Sequence, residues 1–515
     1  MAKRNCLAGS FILSLLLILT ACGTGTKPVV TIEPAPAETT AIEPAPVEPT
    51  AVIPALLEPT NTPEMFIPDM GDAGNAPSGF SIPDAPLSKN GPWLVFIAGD
   101  GLWAANPDGS GLTHLLSARL DEWFYRDAVV SDYGGLVAFL NGTDRYFDLS
   151  LTVYNIPERR IVRTISLTTP ETEPPRDVVM SVEATRAITY VASYAFSPDG
   201  SMLAFMGVME GPSSDLYIYN LEEDTITRIT DGPSQGFSPY WSPDGTYIVH
   251  FGAASFGTGA GYVMEGAWAA RSDDSGVISL YDPSESGAEE FIGWADDHTF
   301  LVNSWNMHCG PINLRAIDIN NRSEQVLWPD AFNDIVYDEV SGTLAVAVGI
   351  DYEDCNPQGR FGVFLVPLDG SPPRHMLAGE IRYFVHDDQN FHIVAHQDDS
   401  RQTQIFPDGQ LVPLNSAPID YDYPNPVISP DGLWVAWPRN FPGEVWIGRR
   451  DPTGTSPPEL MLAETIWKAA WSPNSSTLFL FGTDSLYLAY APDFVPALVA
   501  EIMPMTQVKI FWVTP

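Results

Sequence analysis

Phe196-Ser197-Pro198-Asp199-Gly200, followed by the apolar run Met202-Leu203-Ala204-Phe205, decides the fold of this 515-residue chain. Between two short apolar segments, proline presets the first turn residue, the aspartate side chain caps its own backbone, and glycine supplies the positive φ that completes a reversal. The unit is a strand, a tight turn and a second strand. It returns as Trp241-Ser242-Pro243-Asp244-Gly245, as Ile428-Ser429-Pro430-Asp431-Gly432 and, degraded, as Trp471-Ser472-Pro473-Asn474. Recurrence of one such unit at tens of residues marks a repeat architecture. The motif is therefore turn chemistry, not a catalytic site.

In the copy at 190–230 two further strands follow, Asp215-Leu216-Tyr217-Ile218-Tyr219-Asn220 and Thr225-Ile226-Thr227-Arg228-Ile229-Thr230, so the repeat is a four-stranded antiparallel unit. The turn, the Met202 to Phe205 run and the Asp-Leu-Tyr-Ile-Tyr strand together resemble the repeats of TolB-type β-propellers. The resemblance is specific here and near 241, 431 and 473, and faint elsewhere. It implies an all-β chain in which 91–515 is a single propeller. Units at 125–168, 190–230, 237–291, 292–328, 332–377, 380–415, 423–463 and 466–502 make eight. Trp93 to Leu116 adds three strands, and Val508 to Pro515 has the pattern of a first strand running into its turn. The two ends are expected to share a blade, with the C-terminal strand closing the ring and removing free edges. That raises the count to nine. Because propellers usually hold four to eight blades, the weak unit at 380–415 or 292–328 is expected to be merged or irregular, which favours eight blades over nine.

The N-terminus carries Lys3 and Arg4, an apolar run from Phe11 to Leu19, and then Leu19-Thr20-Ala21-Cys22-Gly23. A positive start before a short apolar run reads as a secretory signal over 1–21, too short for a permanent span. Leu19-Thr20-Ala21-Cys22 resembles the lipobox of bacterial lipoproteins, which implies cleavage before Cys22 and acylation of its thiol and new amino terminus. Two or more acyl chains anchor stably. Residues 22–90 are rich in Pro, Ala, Thr and Glu, with nine acids and no Lys or Arg between Lys27 and Lys89. Such a segment cannot bury a core and is expected to be an extended, self-repelling tether. The chain is thus expected to be extracytoplasmic, at the cell surface or in the periplasm, held to a bacterial membrane through its lipid alone.

The formal charge is −40, and after residue 90 the lysines are Lys468 and Lys509. That field argues against nucleic acid and against direct contact with anionic lipid, both of which need basic patches. A Gly-x-Ser-x-Gly nucleophile elbow is not expected, and His-Glu-x-x-His and the phosphate-binding Gly-x-x-x-x-Gly-Lys are absent from the sequence. His392 and His396 have helical ligand spacing, but in a strand four residues put them about 13 Å apart. The pairs Asp273-Asp274, Asp296-Asp297, Asp387-Asp388 and Asp398-Asp399 fall at expected turns without the alternating pattern of a calcium loop. Neither a metal site nor a cofactor is expected, and the chain is expected not to be an enzyme.

In a four-stranded blade the connection between the second and third strands and the link to the next blade emerge on one face, opposite the Ser-Pro-Asp-Gly turns. The long segments share that face: 168–189, 252–276, 304–311, 350–360 and 438–443. Their side chains Phe256, Tyr262, Trp268, Trp305, Met307, His308, Tyr352 and Phe441 are the candidates for a binding surface. Cys6 leaves with the signal and Cys22 is lipidated, which leaves Cys309 and Cys355 in equivalent loops of consecutive blades. A disulfide between them is expected, with two free thiols as the alternative. TolB-type propellers imply protein interaction in the envelope, although this chain shows no counterpart of that family's N-terminal domain. The expected function is a monomeric, non-catalytic lipoprotein that binds a protein or envelope component through its long-loop face. The alternatives are a small-molecule or glycan receptor and a hydrolase or lyase with a site at the channel mouth, His308 being the first suspect.

Overall fold

The second strand of each repeat reads as an unbroken apolar run, and an unbroken run in a short strand means burial on both faces. Blades stacked around a ring bury their sheets in that way. The computed structural model describes residues 82–514 except 99–100, 118–128, 132–133, 143–148, 169–177, 191–192, 257–261, 282–287, 307, 340, 350–354, 380, 387–392, 398–401, 407–408, 415–425, 440–442, 452–453, 456–457 and 503–508. The chain divides into Met1–Gly74 and Asn75–Pro515, and every described residue belongs to the second unit. The signal peptide, Cys22 and the tether up to residue 81 lie outside the described residues.

The described residues form nine antiparallel sheets in chain order. Blade 1 combines 93–117 with the strand Lys509–Val513, and blades 2 to 9 span 129–166, 194–228, 235–281, 289–328, 334–377, 381–414, 427–462 and 466–501. Each has four strands, except that blade 8 adds the two-residue strand Gly454–Thr455. In the second strand of blade 1, Trp93–Ala98, the period-2 alternation is plain. Trp93, Val95 and Ile97 pack with Val137 and Phe139 of blade 2, while Leu94, Phe96 and Ala98 pack with Phe479 and Leu488 of blade 9. All six of these residues are 0–1% exposed. An apolar seam of the same kind joins every following pair of blades, so the core is a closed belt. Burying each large apolar side chain contributes about 2 kcal/mol.

Ring closure follows the expected plan. Lys509–Val513 pairs antiparallel with Trp93–Ala98, placing Trp512 opposite Leu94 and Ile510 opposite Phe96. The blade count corrects the favoured eight to nine. Units 292–328 and 380–415 both belong to complete blades, 5 and 7. Blade 5 had lost only its punctuation: where other blades use Ser-Pro-Asp-Gly, the Asp296 carboxylate accepts the N–H groups of His298 (2.9 Å) and Thr299 (2.8 Å).

The recurrent serine explains itself in the structure. The Ser242 hydroxyl donates to Asp244 (2.7 Å) and accepts the Tyr247 N–H (2.9 Å), while Gly245, at φ +71°, donates its N–H to the Ser242 carbonyl (2.8 Å). Ser197, Ser429 and Ser472 repeat this geometry, and all four serines are buried. Ser242 N–H also donates to the Tyr247 carbonyl (2.8 Å), and in blade 2 the N–H of buried Ser131 donates likewise to the Leu136 carbonyl (3.0 Å).

First strands of neighbouring blades touch each other, which makes them the innermost strands of the ring. Aromatic residues near the first turn staple them together. The Trp241 indole donates to the Ala195 carbonyl of blade 3 (2.9 Å), the Trp471 indole to Val427 of blade 8 (3.0 Å), and the Tyr337 hydroxyl to Trp294 of blade 5 (2.9 Å). At the other end, residues 82–90, assigned to the tether by composition, run against blade 1. Leu87 is buried, Ser88 N–H donates to Asn106 Oδ1 (2.8 Å), and the Trp93 indole donates to the Ser88 carbonyl (2.7 Å). The packed unit therefore begins before the expected boundary at 91.

Ser242→Ala removes a buried hydroxyl that serves two partners and leaves the Tyr247 amide without it. Urea unfolding is expected to show a loss of about 1–3 kcal/mol, whereas Ser201→Ala, on an exposed turn hydroxyl, is expected to change stability by no more than about 0.5 kcal/mol.

Candidate binding face

Regular blades set the scale for the long face. The middle strands of blade 3, Met202–Gly207 and Asp215–Asn220, have six residues each, as do Thr477–Gly482 and Ser485–Tyr490 in blade 9. In blade 4 the equivalents are Tyr247–Phe256 and Tyr262–Arg271, ten residues each, and in blade 5 Thr299–Asn306 and Gly310–Asp318, eight and nine. At about 3.4 Å per residue the extra length carries these hairpins roughly 7–14 Å beyond a regular blade. Segments expected as loops at 252–276 and 304–311 are thus largely paired strand, with Phe256 opposite Tyr262, Trp305 opposite Pro311 and Asn306 opposite Gly310. The glycines misled because they signal close packing here rather than a loop. A Cβ on Gly252 would come within 2.4 Å of the Trp268 ring.

The tip of the blade 5 hairpin is fastened to blade 6. Asn306 Oδ1 accepts the N–H groups of His308 (2.8 Å) and Cys309 (3.1 Å), and Cys309 is bonded to Cys355 across 46 residues, with Cα atoms 5.7 Å apart. Loop-closure entropy for a ring of that length corresponds to about 4 kcal/mol. The base of the connection is knit as well. Ala331 N–H donates to the Cys355 carbonyl (3.0 Å) and Phe332 N–H to the Pro311 carbonyl (3.1 Å). The Arg360 guanidinium pairs with Asp330 (2.7 Å) and lies 3.8 Å over the ring of fully buried Trp328. Hairpin, disulfide and loop form one braced support.

On that support the expected aromatics separate into two groups. Trp305 is 44% exposed and His308 is exposed beside it. Tyr262 instead packs on Phe237 (ring centroids 4.9 Å), and Trp268 is a strand residue stacked on His250 (5.9 Å), so both serve packing. Phe256 is on the blade 4 hairpin, but its side chain, like Met307, Tyr352 and Phe441, lies outside what the structure describes. The long segment 168–189 also corrects an expectation, since it contains the helix α1, Val178–Tyr190. Valines, threonines and isoleucine lower its helix propensity, which is why it read as a loop. Its one legible signal was the spacing of Ala184, Ala187 and Ile188, all buried against blades 3 and 4. The described side chains Ala184, Ala187 and Ile188 therefore serve packing.

The sequence reading passed over several residues of this face. Val263 on the blade 4 hairpin is 60% exposed, and Trp467 on the first strand of blade 9 is 41% exposed, its indole donating to Thr483 (3.2 Å). Two carboxylates sit on the innermost strands of blades 5 and 6 at one level, Glu290 opposite Asn303 and Asp334 opposite Ala347. Glu290 is open to solvent, yet the inner strands crowd it, and burial followed by the charge of Asp334 raises its pKa. Burial also raises Asp334, against the lowering effect of the Phe384 (2.7 Å) and Ile335 (2.8 Å) N–H groups that it accepts. At the base of the blade 4 hairpin, His250 is buried with Nε2 lacking a hydrogen-bond partner, and burial pushes its pKa down to about 4.

No known protein-family profile matches this chain. A stretch of 54 residues, 10% of the chain, is 43% identical to an uncharacterized peptidase of Bacillus subtilis, YuxL, and spans 8% of that protein. Among solved structures, a eukaryotic initiation factor aligns over 82% of this chain and 99% of its own, at 13% identity and a TM-score of 0.51. Dipeptidyl peptidase 4 of Porphyromonas gingivalis aligns over 73% of this chain and 60% of its own (11% identity, TM-score 0.46), and TolB of Acinetobacter baumannii over 55% and 65% (13%, 0.29). The β-propeller fold that the resemblance of the repeats implies is the fold of the described residues. The expectation that the chain is not an enzyme is overturned by the similarity to a peptidase. Gly232-Pro233-Ser234-Gln235-Gly236 has the letters of a Gly-x-Ser-x-Gly elbow, which the sequence reading passed over, but it leads into the first strand of blade 4, Gln235–Trp241, and not from a strand into a helix.

Three outcomes are expected. Cys309→Ser with Cys355→Ser should lower the unfolding free energy by about 2–4 kcal/mol, and alkylation of the unreduced wild-type chain should leave both cysteines unmodified. A carboxylate whose pKa is raised by the fold weakens the fold where it is ionised and not where it is protonated, so Glu290→Gln should raise Tm at pH 7 and leave it unchanged near pH 3. His250 behaves oppositely. Held neutral, it carries its full contribution above its unfolded pKa near 6.5, and up to roughly 3 kcal/mol is lost as pH falls toward 4. His250→Phe should flatten that limb of the stability profile.

Proposed function

We propose that the projecting face of blades 4 to 6 is a docking surface for a polypeptide. The observation that carries it is Trp305, an indole left 44% exposed at the tip of a hairpin that a disulfide holds against the next blade. Leaving a large apolar side chain in water forgoes about 2 kcal/mol. A rigid, exposed aromatic is also the commonest kind of interface anchor, because little side-chain freedom is lost on binding. Val263, on the neighbouring blade 4 hairpin, extends the apolar surface on the same face. The peptidase similarity favours a second reading of that surface, in which the docked polypeptide is a substrate.

We further propose that the propeller is displayed outside the cytoplasm on an acidic tether anchored through lipidated Cys22. The lipobox-like Leu19-Thr20-Ala21-Cys22 supports the anchor, and the Cys309–Cys355 bond supports an oxidising compartment. Cys22→Ser should abolish labelling by a fatty-acid analogue and release the protein from sedimented membranes.

A photo-crosslinking side chain placed at Trp305 tests the docking surface in cells. Discrete crosslinked protein species are expected from that position and none from Leu433, which is 46% exposed beside a Ser-Pro-Asp-Gly turn on the opposite face. Equal crosslinking from both positions would count against the proposal. Under the substrate reading, a peptide mixture incubated with the purified chain should acquire new termini detectable by mass spectrometry.

A further inference from the structure

We infer that the polypeptide taken by this face is cationic, with an apolar side chain against Trp305 and Lys or Arg side chains toward the acidic channel mouth. The inference rests on the docking reading above and adds the chemistry of the partner. Two independent features carry it. The first is the anchor itself, since an exposed indole accepts both an apolar side chain and a cation over its face. The second is the charge around it. Glu265 on the blade 4 hairpin and Glu290 on the first strand of blade 5 are exposed on this face, and Asp334 joins them half-buried on the first strand of blade 6. On blades 5 and 6, Arg315 is engaged by Glu289 and Glu324 (3.0 Å) and Arg360 by Asp330 (2.7 Å). Lys468, on the first strand of blade 9, is exposed but belongs to the far side of the ring from blades 5 and 6.

The formal charge of −40 over the chain disfavours the approach of an anionic segment and favours that of a cationic one. Apolar anchoring fixes where the partner sits. Charge then selects which partner it is.

The probes are dye-labelled twelve-residue peptides that alternate Lys with Leu, Lys with Ser, or Glu with Leu, titrated with purified full-length protein and read by fluorescence anisotropy. The Lys/Leu peptide is expected to bind, with affinity falling steeply as salt rises. Trp305→Ala should weaken it about tenfold, in the range set by aromatic anchors. Glu290→Gln combined with Asp334→Asn should weaken it severalfold and flatten the salt dependence, and Leu433→Ala on the opposite face should change nothing. The Lys/Ser peptide should bind more weakly and the Glu/Leu peptide not at all. Unfolding curves of Trp305→Ala matching those of the wild type show that the loss is one of contact. Lys/Leu binding indifferent to Trp305→Ala would overturn the inference by assigning the affinity to diffuse charge. Glu/Leu binding that depends on Trp305 would overturn the choice of a cationic partner while leaving polypeptide docking intact, and failure of all three peptides would count against both.

Discussion

The five-residue strand Lys509–Val513, hydrogen-bonded to Trp93–Ala98, is the pairing on which the rest of the structure depends. Each blade buries its sheet only because a neighbour covers each face, so an open ring would leave two blades with one apolar face in water. Closure makes the apolar belt continuous from Phe479 in blade 9 through Leu94 and Trp93 to Val137 in blade 2. It also fills the innermost position of blade 1, whose strand Trp93–Ala98 would otherwise present unpaired backbone groups to the channel.

A closed belt turns the ring into a rigid platform, and the functional account follows from how unevenly that platform is elaborated. One face is finished by short turns built on buried serines, each hydroxyl tying an aspartate or asparagine to the returning strand. The other carries the lengthened hairpins of blades 4 and 5, with the Cys309–Cys355 bond joining the second of them to blade 6. Bracing of this kind has an energetic meaning for binding. A support that is already ordered does not lose conformational freedom when a partner arrives, so the area around Trp305 converts more fully into affinity.

The fold was legible where turn chemistry survived. Ser-Pro-Asp-Gly marked blades 3, 4 and 8 directly, Trp471-Ser472-Pro473-Asn474 marked blade 9, and the orphan strand at the C-terminus announced the closure. Blades 5 and 7 tempted an undercount because a repeat can keep four paired strands while its first turn changes to another geometry, as Asp296 does. The site was legible only in outline. Trp305, His308 and the cysteine pair follow from position in the repeat, but strand pairing of 252–256 with 262–266 was hidden by glycines that make room for Trp268. Helix α1 was hidden by β-branched residues that tertiary burial overrides. Trp467 and the Glu290–Asp334 pair escaped notice because one repeat seen alone does not show that its first strand meets those of its neighbours around a common axis.

Hydrogen exchange of the backbone amides tests closure most directly. If the belt is one cooperative unit, amides of Lys509–Val513 and Trp93–Ala98 exchange with the same opening free energy as those of the blade 9 pair Ile466–Trp471 and Thr477–Gly482. Rapid exchange of Lys509–Val513 while the inner strands of blades 3 to 9 remain protected would contradict the account, because the ring would then stand without its closing strand.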